Sequence, residues 1–106
     1  GGPNESANPV ELLLSALAGC AVFVCERAAQ ELGIALQSVQ VTAAGDFDPR
    51  GVCGEAFDPR FQSFKVRFAL DGPDAAQSAL LLQAFQTRCP VYATLSRAAP
   101  VEISLA

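Results

Sequence analysis

Residues 8–33, NPVELLLSALAGCAVFVCERAAQELG, begin polar, turn apolar from Leu12 to Cys25 with only Ser15 and Gly19 interrupting, and end charged. Asn8 suits a helix N-cap, Pro9 the first helical position, and Glu11 the third place of a capping box. Gly33 suits a left-handed terminator. These signals predict a helix from Pro9 to about Leu32, roughly 36 Å long. Its first two-thirds is apolar on every face, so other structure has to enclose it. Only Glu26, Arg27, Gln30 and Glu31 are expected to meet water. The apolar run is too short to span a bilayer and reads as a buried core helix.

The period then changes from helical to alternating. Val39, Val41 and Ala43 alternate with Ser38, Gln40 and Thr42, which predicts a half-buried strand within 36–47. Phe64, Val66, Phe68 and Leu70 alternate with Lys65, Arg67 and Ala69 in a second strand. Between them FDPR occurs twice, at 47–50 and 57–60, and Asp-Pro turns are expected to bracket a loop that holds Cys53. Asp74 caps a second predicted helix, Ala75 to about Arg88, with Ala76, Leu80 and Phe85 on its buried face. Pro90 stops that helix and opens a short one over 91–97, which puts Cys89 at the N-cap-like corner. Val101, Ile103 and Leu105 alternate with Glu102 and Ser104 and predict a closing strand. Helix, strand, strand, two helices, strand is an α+β order. Three strands do not cover so apolar a helix, so a partner chain or further N-terminal sheet is expected.

Composition narrows the function. The 106 residues suit one domain and are 51% hydrophobic, high for so short a chain, which points to a core shared between two copies. Net charge is −4 and the seven basic residues are scattered, so no nucleic-acid stripe exists. The absence of histidine removes imidazole acid–base catalysis and a Cys–His nucleophile. Residues 1–9 have neither the basic nor the apolar region of a leader. The four cysteines, Cys20, Cys25, Cys53 and Cys89, show no CxxC spacing, which argues against a disulfide framework or zinc site and for reduced cytoplasmic thiols.

Local context treats the four thiols differently. At a helix N-terminus beside Arg88, Cys89 is either a stabilised thiolate or a small buried corner residue. Cys20, amid Leu17, Ala18, Ala21 and Val24, is either core filler or a nucleophile that needs a donor from another segment. Cys25 lies about 140° around the helix from Cys20, which rules out a bridge between them and leaves it to the core. Cys53 is an incidental loop thiol. Arg50 is a solvated turn residue, or an anion or thiolate partner.

NPVELLLSALAGC, the G-x-x-D-x-R-G turn over 45–51 with the strand after it, and CPVYATL over 89–95 together resemble the OsmC/Ohr family, osmotically inducible protein C and organic hydroperoxide resistance protein. The resemblance covers essentially all 106 residues, taken as a single OsmC-like domain, 1–106, that lacks the family's N-terminal strands. It implies an OsmC-like α+β fold: an intertwined homodimer whose long buried central helices pack against antiparallel sheet. It also implies a two-cysteine peroxidase without a bound cofactor or metal. Cys20 matches the cysteine that attacks an organic hydroperoxide and becomes a sulfenic acid. Cys89 matches the one that resolves it as a disulfide, and a lipoyl-type dithiol then reduces the pair.

The chain departs from that pattern at two places. The family's thiolate-activating arginine lies on an N-terminal strand that this chain does not contain. The carboxylate that orients the arginine directly follows Asn-Pro, and here that position is Val10; Glu11 comes one residue late. Two functions therefore remain. One is a thiol peroxidase with an apolar site near Leu13, Leu17, Phe23 or Phe85. The other is a non-catalytic dimeric module that binds an apolar ligand or serves as an accessory domain. Neither involves nucleic acid or a membrane.

Overall fold

A computed structural model describes residues 8–106; the expectation that residues 1–9 carry no leader lies, for residues 1–7, outside them. Helix α1 runs Pro9–Leu32. The Asn8 side chain accepts from Glu11 N–H at 2.8 Å and the Glu11 carboxylate accepts from Asn8 N–H at 3.0 Å, the predicted capping box. At the other end Gly33 adopts φ 69°, which lets Ile34 N–H return to the Ala29 carbonyl at 2.9 Å and close the helix. Against the expectation of a run too short to span a bilayer, α1 is long and apolar enough to cross a membrane by length and composition, and 22% of its apolar window is buried in the fold. Leu17, Ala21, Val24, Cys25, Ala28 and Ala29 form its buried stripe, at the three- and four-residue spacing of one helix face.

Strands β1 (Ser38–Asp46) and β2 (Ser63–Asp71) pair antiparallel, with Ser38 opposite Asp71 and Val41 opposite Phe68. Both alternate as predicted. Val39, Val41, Ala43, Phe64, Val66, Phe68 and Leu70 pack against the core, while Gln40, Thr42, Lys65 and Arg67 lie on the exposed face. Gly72 (φ 112°) turns the chain where a Cβ would collide with the Ala35 carbonyl.

Helix α2 (Ala75–Arg88) starts at an Asp74–Gln77 capping box, and α3 (Pro90–Ser96) starts at Cys89. The buried face of α2 is Leu81, Ala84 and Phe85; Leu80 and Ala76, expected there, are exposed. Leu80, Leu81 and Leu82 offer two overlapping apolar stripes, and Leu81 is the one that shares a face with Ala84 and Phe85.

The expected closing strand is not formed. Residues 98–106 have no strand structure, and Val101, Ile103 and Leu105 are 84–100% exposed. An alternating pattern makes a strand only where a sheet edge accepts its N–H and C=O groups, and this segment meets neither edge of the two-stranded sheet. Nor is the first two-thirds of α1 enclosed on every side. Leu12 and Phe23 are 56% and 63% exposed, and Ser15, Ala16 and Gly19 lie between them on the same open face.

Candidate functional site

The inner face of α1 and the corner between α2 and α3 bring together two residues far apart in sequence. Cys20 lies one turn beyond Leu17, at the edge of the buried stripe, and is half-buried. Cys89, only 1% exposed, ends α2 and caps α3. Pro90 forces this corner, because it cannot continue α2 but supplies a pre-set first residue for α3. The two are free thiols with Cys89 Sγ–H donating to Cys20 Sγ at 2.8 Å. A small side-chain movement would bring them to the bond length of a disulfide, about 2.05 Å.

The electrostatics of the pair come from backbone and burial. Cys89 Sγ accepts the Tyr92 N–H at 3.3 Å. Burial, and then the hydrogen bond it gives to Cys20, push the Cys89 thiol above its ordinary value; the N–H groups of Tyr92 and Val91 pull it part of the way back. Arg88 does not serve this thiol. Its guanidinium makes a bidentate contact with Glu31 at 2.9 and 3.2 Å, and Arg27 shares the same carboxylate. Glu31 is held below its usual range by those hydrogen bonds, Arg88's first. Arg50, the other candidate thiolate partner, donates to Asp48 and lies 3.6 Å over the Phe57 ring. Arg60 repeats the arrangement with Asp58. Both FDPR copies are thus closed Asp–Arg brackets within the loop.

The remaining thiols lie apart from the pair. Cys25 is fully buried and its thiol is pushed up, by burial first and by the Glu26 carboxylate second. Cys53 is exposed in the loop. Among the described residues no three possible metal ligands gather.

A cleft of about 470 Å³ opens between β2, α2 and α3, with Leu17 at its base. Phe64, Phe68, Phe85 and Tyr92 supply its aromatic walls, and Gln86 and Ser96 its polar rim. Neither thiol lines the cleft; Leu17, one turn from Cys20, and Tyr92, whose N–H donates to Cys89, lie between it and the pair. Of the residues proposed for an apolar site, Leu17 and Phe85 line this cleft. Leu13 does not, and Phe23 borders a separate groove with Arg27 and Leu36. Tyr92 is the residue that sequence reasoning passed over. Its signal was the aromatic one turn after Cys89 in CPVYATL.

The family model described as OsmC-like protein matches residues 2–104. Among solved structures, the OsmC-like protein of Mycoplasma pneumoniae superposes with a TM-score of 0.77 at 17% identity, covering 92% of this chain and 67% of that one. An OsmC-like hydroperoxide resistance protein from Jannaschia sp. gives 0.76 at 20% identity, covering 95% and 67%. An OsmC-like protein of unknown function from Vibrio cholerae gives 0.60 at 16% identity, covering 84% and 58%. A search of curated proteins finds no match.

Proposed function

The chain belongs to the OsmC-like family, and from that premise we propose that it is a thiol-dependent peroxidase that reduces organic hydroperoxides. The observation that carries this function is the approach of Cys20 and Cys89 to 2.8 Å from segments 69 residues apart. Cys20 is the attacking sulfur, because it is the more accessible of the two and lies one turn from Leu17 of the apolar cleft. Cys89, buried and already in contact, is the resolving thiol. The aromatic walls of the cleft favour a hydroperoxide with an apolar body over hydrogen peroxide. The disulfide is returned to the dithiol by a small dithiol of the lipoyl type.

The same proposal includes a homodimer in the cytoplasm. The open face of α1, from Leu12 to Phe23, is the surface a second copy would cover, and covering it would enclose the helix as its sequence demands. Intertwining of the two chains belongs to this proposal.

One observation favours the second function, an apolar-ligand module without catalysis. Among the described residues no arginine or lysine donates a hydrogen bond to either thiol, and Val10 stands where a carboxylate would orient such a group. Stopped-flow consumption of cumene hydroperoxide with dihydrolipoamide as reductant separates the two. A peroxidase turns over and loses turnover in Cys20→Ser. A binding module shows no consumption above the rate of free thiol.

A further inference from the structure

Cys89 is the joint between two walls of the cleft as well as one half of the thiol pair. Leu82, Phe85 and Gln86 line the cleft from α2, and Tyr92, Leu95 and Ser96 line it from α3. Cys89 ends the first of these helices and begins the second. Its N–H donates to the Phe85 carbonyl at 3.0 Å, and its carbonyl accepts the Ala93 N–H at 2.9 Å. Its sulfur caps α3 by accepting the Tyr92 N–H at 3.3 Å, and the same sulfur faces Cys20 at 2.8 Å. The rings of Phe85 and Tyr92 meet across the joint with centroids 5.0 Å apart.

We propose that the cleft senses the redox state of the pair through this joint: an apolar alcohol, the kind of molecule an organic hydroperoxide leaves on reduction, binds more tightly to the dithiol than to the disulfide. The inference rests on the peroxidase function proposed above and adds product release to it. Forming the disulfide draws the Cys89 sulfur from 2.8 Å to bonding distance of Cys20. The sulfur that caps α3 therefore moves, and the bond it accepts from the Tyr92 N–H loses its aim. A helix that loses its side-chain cap frays in its first turn. In α3 that turn carries the Tyr92 ring, with Leu95 one turn further on. The wall they form loosens as the disulfide closes, and the alcohol leaves. Reduction restores the cap and rebuilds the wall for the next hydroperoxide. Linkage makes the effect reciprocal: an alcohol held in the cleft disfavours the disulfide by the same factor.

Tyr92 is the chain's single tyrosine and there is no tryptophan, so tyrosine fluorescence reports this wall alone. The test titrates octan-1-ol, transparent at tyrosine wavelengths, into Cys53→Ser protein in two states. One is held reduced by a phosphine. The other is oxidised by diamide, which takes two electrons and two protons from the thiol pair and becomes the hydrazine; peptide mass spectrometry verifies the Cys20–Cys89 linkage. Binding to the dithiol is expected to be about fivefold tighter. Leu82→Ala, on the α2 wall, is expected to weaken binding in both states and leave that ratio unchanged. Octan-1-ol is also expected to shift the thiol–disulfide equilibrium with lipoamide toward the dithiol by about the same fivefold. Tyr92→Phe, which keeps the ring and the N–H, retains this shift, and Tyr92→Ala loses it. Equal affinities in the two states, fluorescence unmoved by octan-1-ol, or diamide-treated protein without the linkage overturns the proposal. A state-dependent affinity in protein that consumes no cumene hydroperoxide means that the peroxidase function fails while the coupling stands.

Discussion

Cys20 and Cys25 are five residues apart on one helix, yet they occupy two chemically distinct regions. Cys25 sits on the centre line of the buried stripe, among Ala21, Ala28 and Leu81, with its thiol pushed up by burial. Cys20 sits at the edge of that stripe, half-buried, with a second thiol 2.8 Å away and the cleft-lining Leu17 one turn before it. The 140° between them on the helix is what separates filler from reagent. A cysteine in a greasy segment is therefore read by which side of the helix it faces and by what the rest of the chain brings to it.

The sharpest way to break this contrast is turnover. Cys20→Ser is expected to lower hydroperoxide consumption on the order of 10³-fold, to the rate of an unassisted thiol, while Cys25→Ala leaves it within about twofold. Equal losses in both would erase the distinction. The next largest effect is on stability. Leu81 is fully buried in the cluster that holds Cys25, and Leu81→Ala should cost about 2–5 kcal/mol in urea unfolding.

Cys25→Ser places a hydroxyl in the same dry site and should cost about 1–3 kcal/mol, more than Cys25→Ala. The burial of Cys25 also has a pH signature. Its folded-state value is raised above the ordinary 9.0, so the unfolded chain ionises first. Its contribution is fully present below pH 9.0 and is lost as pH rises from there through the folded-state value. Alkaline urea melts should therefore lose less stability above pH 9 in Cys25→Ala than in the parent. The smallest expected effect is at the surface. Arg88→Ala breaks an exposed ion pair next to Cys89, and its small loss of stability should fade with added salt while Cys20 alkylation stays unchanged.

Much of this molecule is legible locally. Asn8, Glu11 and Gly33 mark the limits of α1 because capping is settled within a few residues of sequence. The alternation in 39–43 and 64–70 marks both strands for the same reason. The closing strand does not form because Val101–Leu105 carries a strand pattern without an edge to complete it, and an edge is a property of the whole fold. Leu80 carries the pattern of a core residue because three consecutive leucines leave the phase of α2 undecided until Phe85 is fixed by Phe68. The site followed the same division. The corner at Cys89 is written in the Pro that follows it, but its proximity to Cys20 is a tertiary fact that became an expectation only through the family resemblance. The engagement of Arg88 and Arg50 elsewhere was not visible at all, since each neighbours a cysteine or a turn in sequence while its partner is chosen in three dimensions.

The central claim is that Cys20 and Cys89 form one redox unit. It is tested most directly by treating the reduced protein with one equivalent of cumene hydroperoxide, blocking remaining thiols, and mapping disulfides by peptide mass spectrometry. A linked Cys20–Cys89 peptide, with Cys25 and Cys53 blocked as free thiols, is the predicted result. Cys20 and Cys89 both recovered as free thiols while the hydroperoxide persists would contradict it.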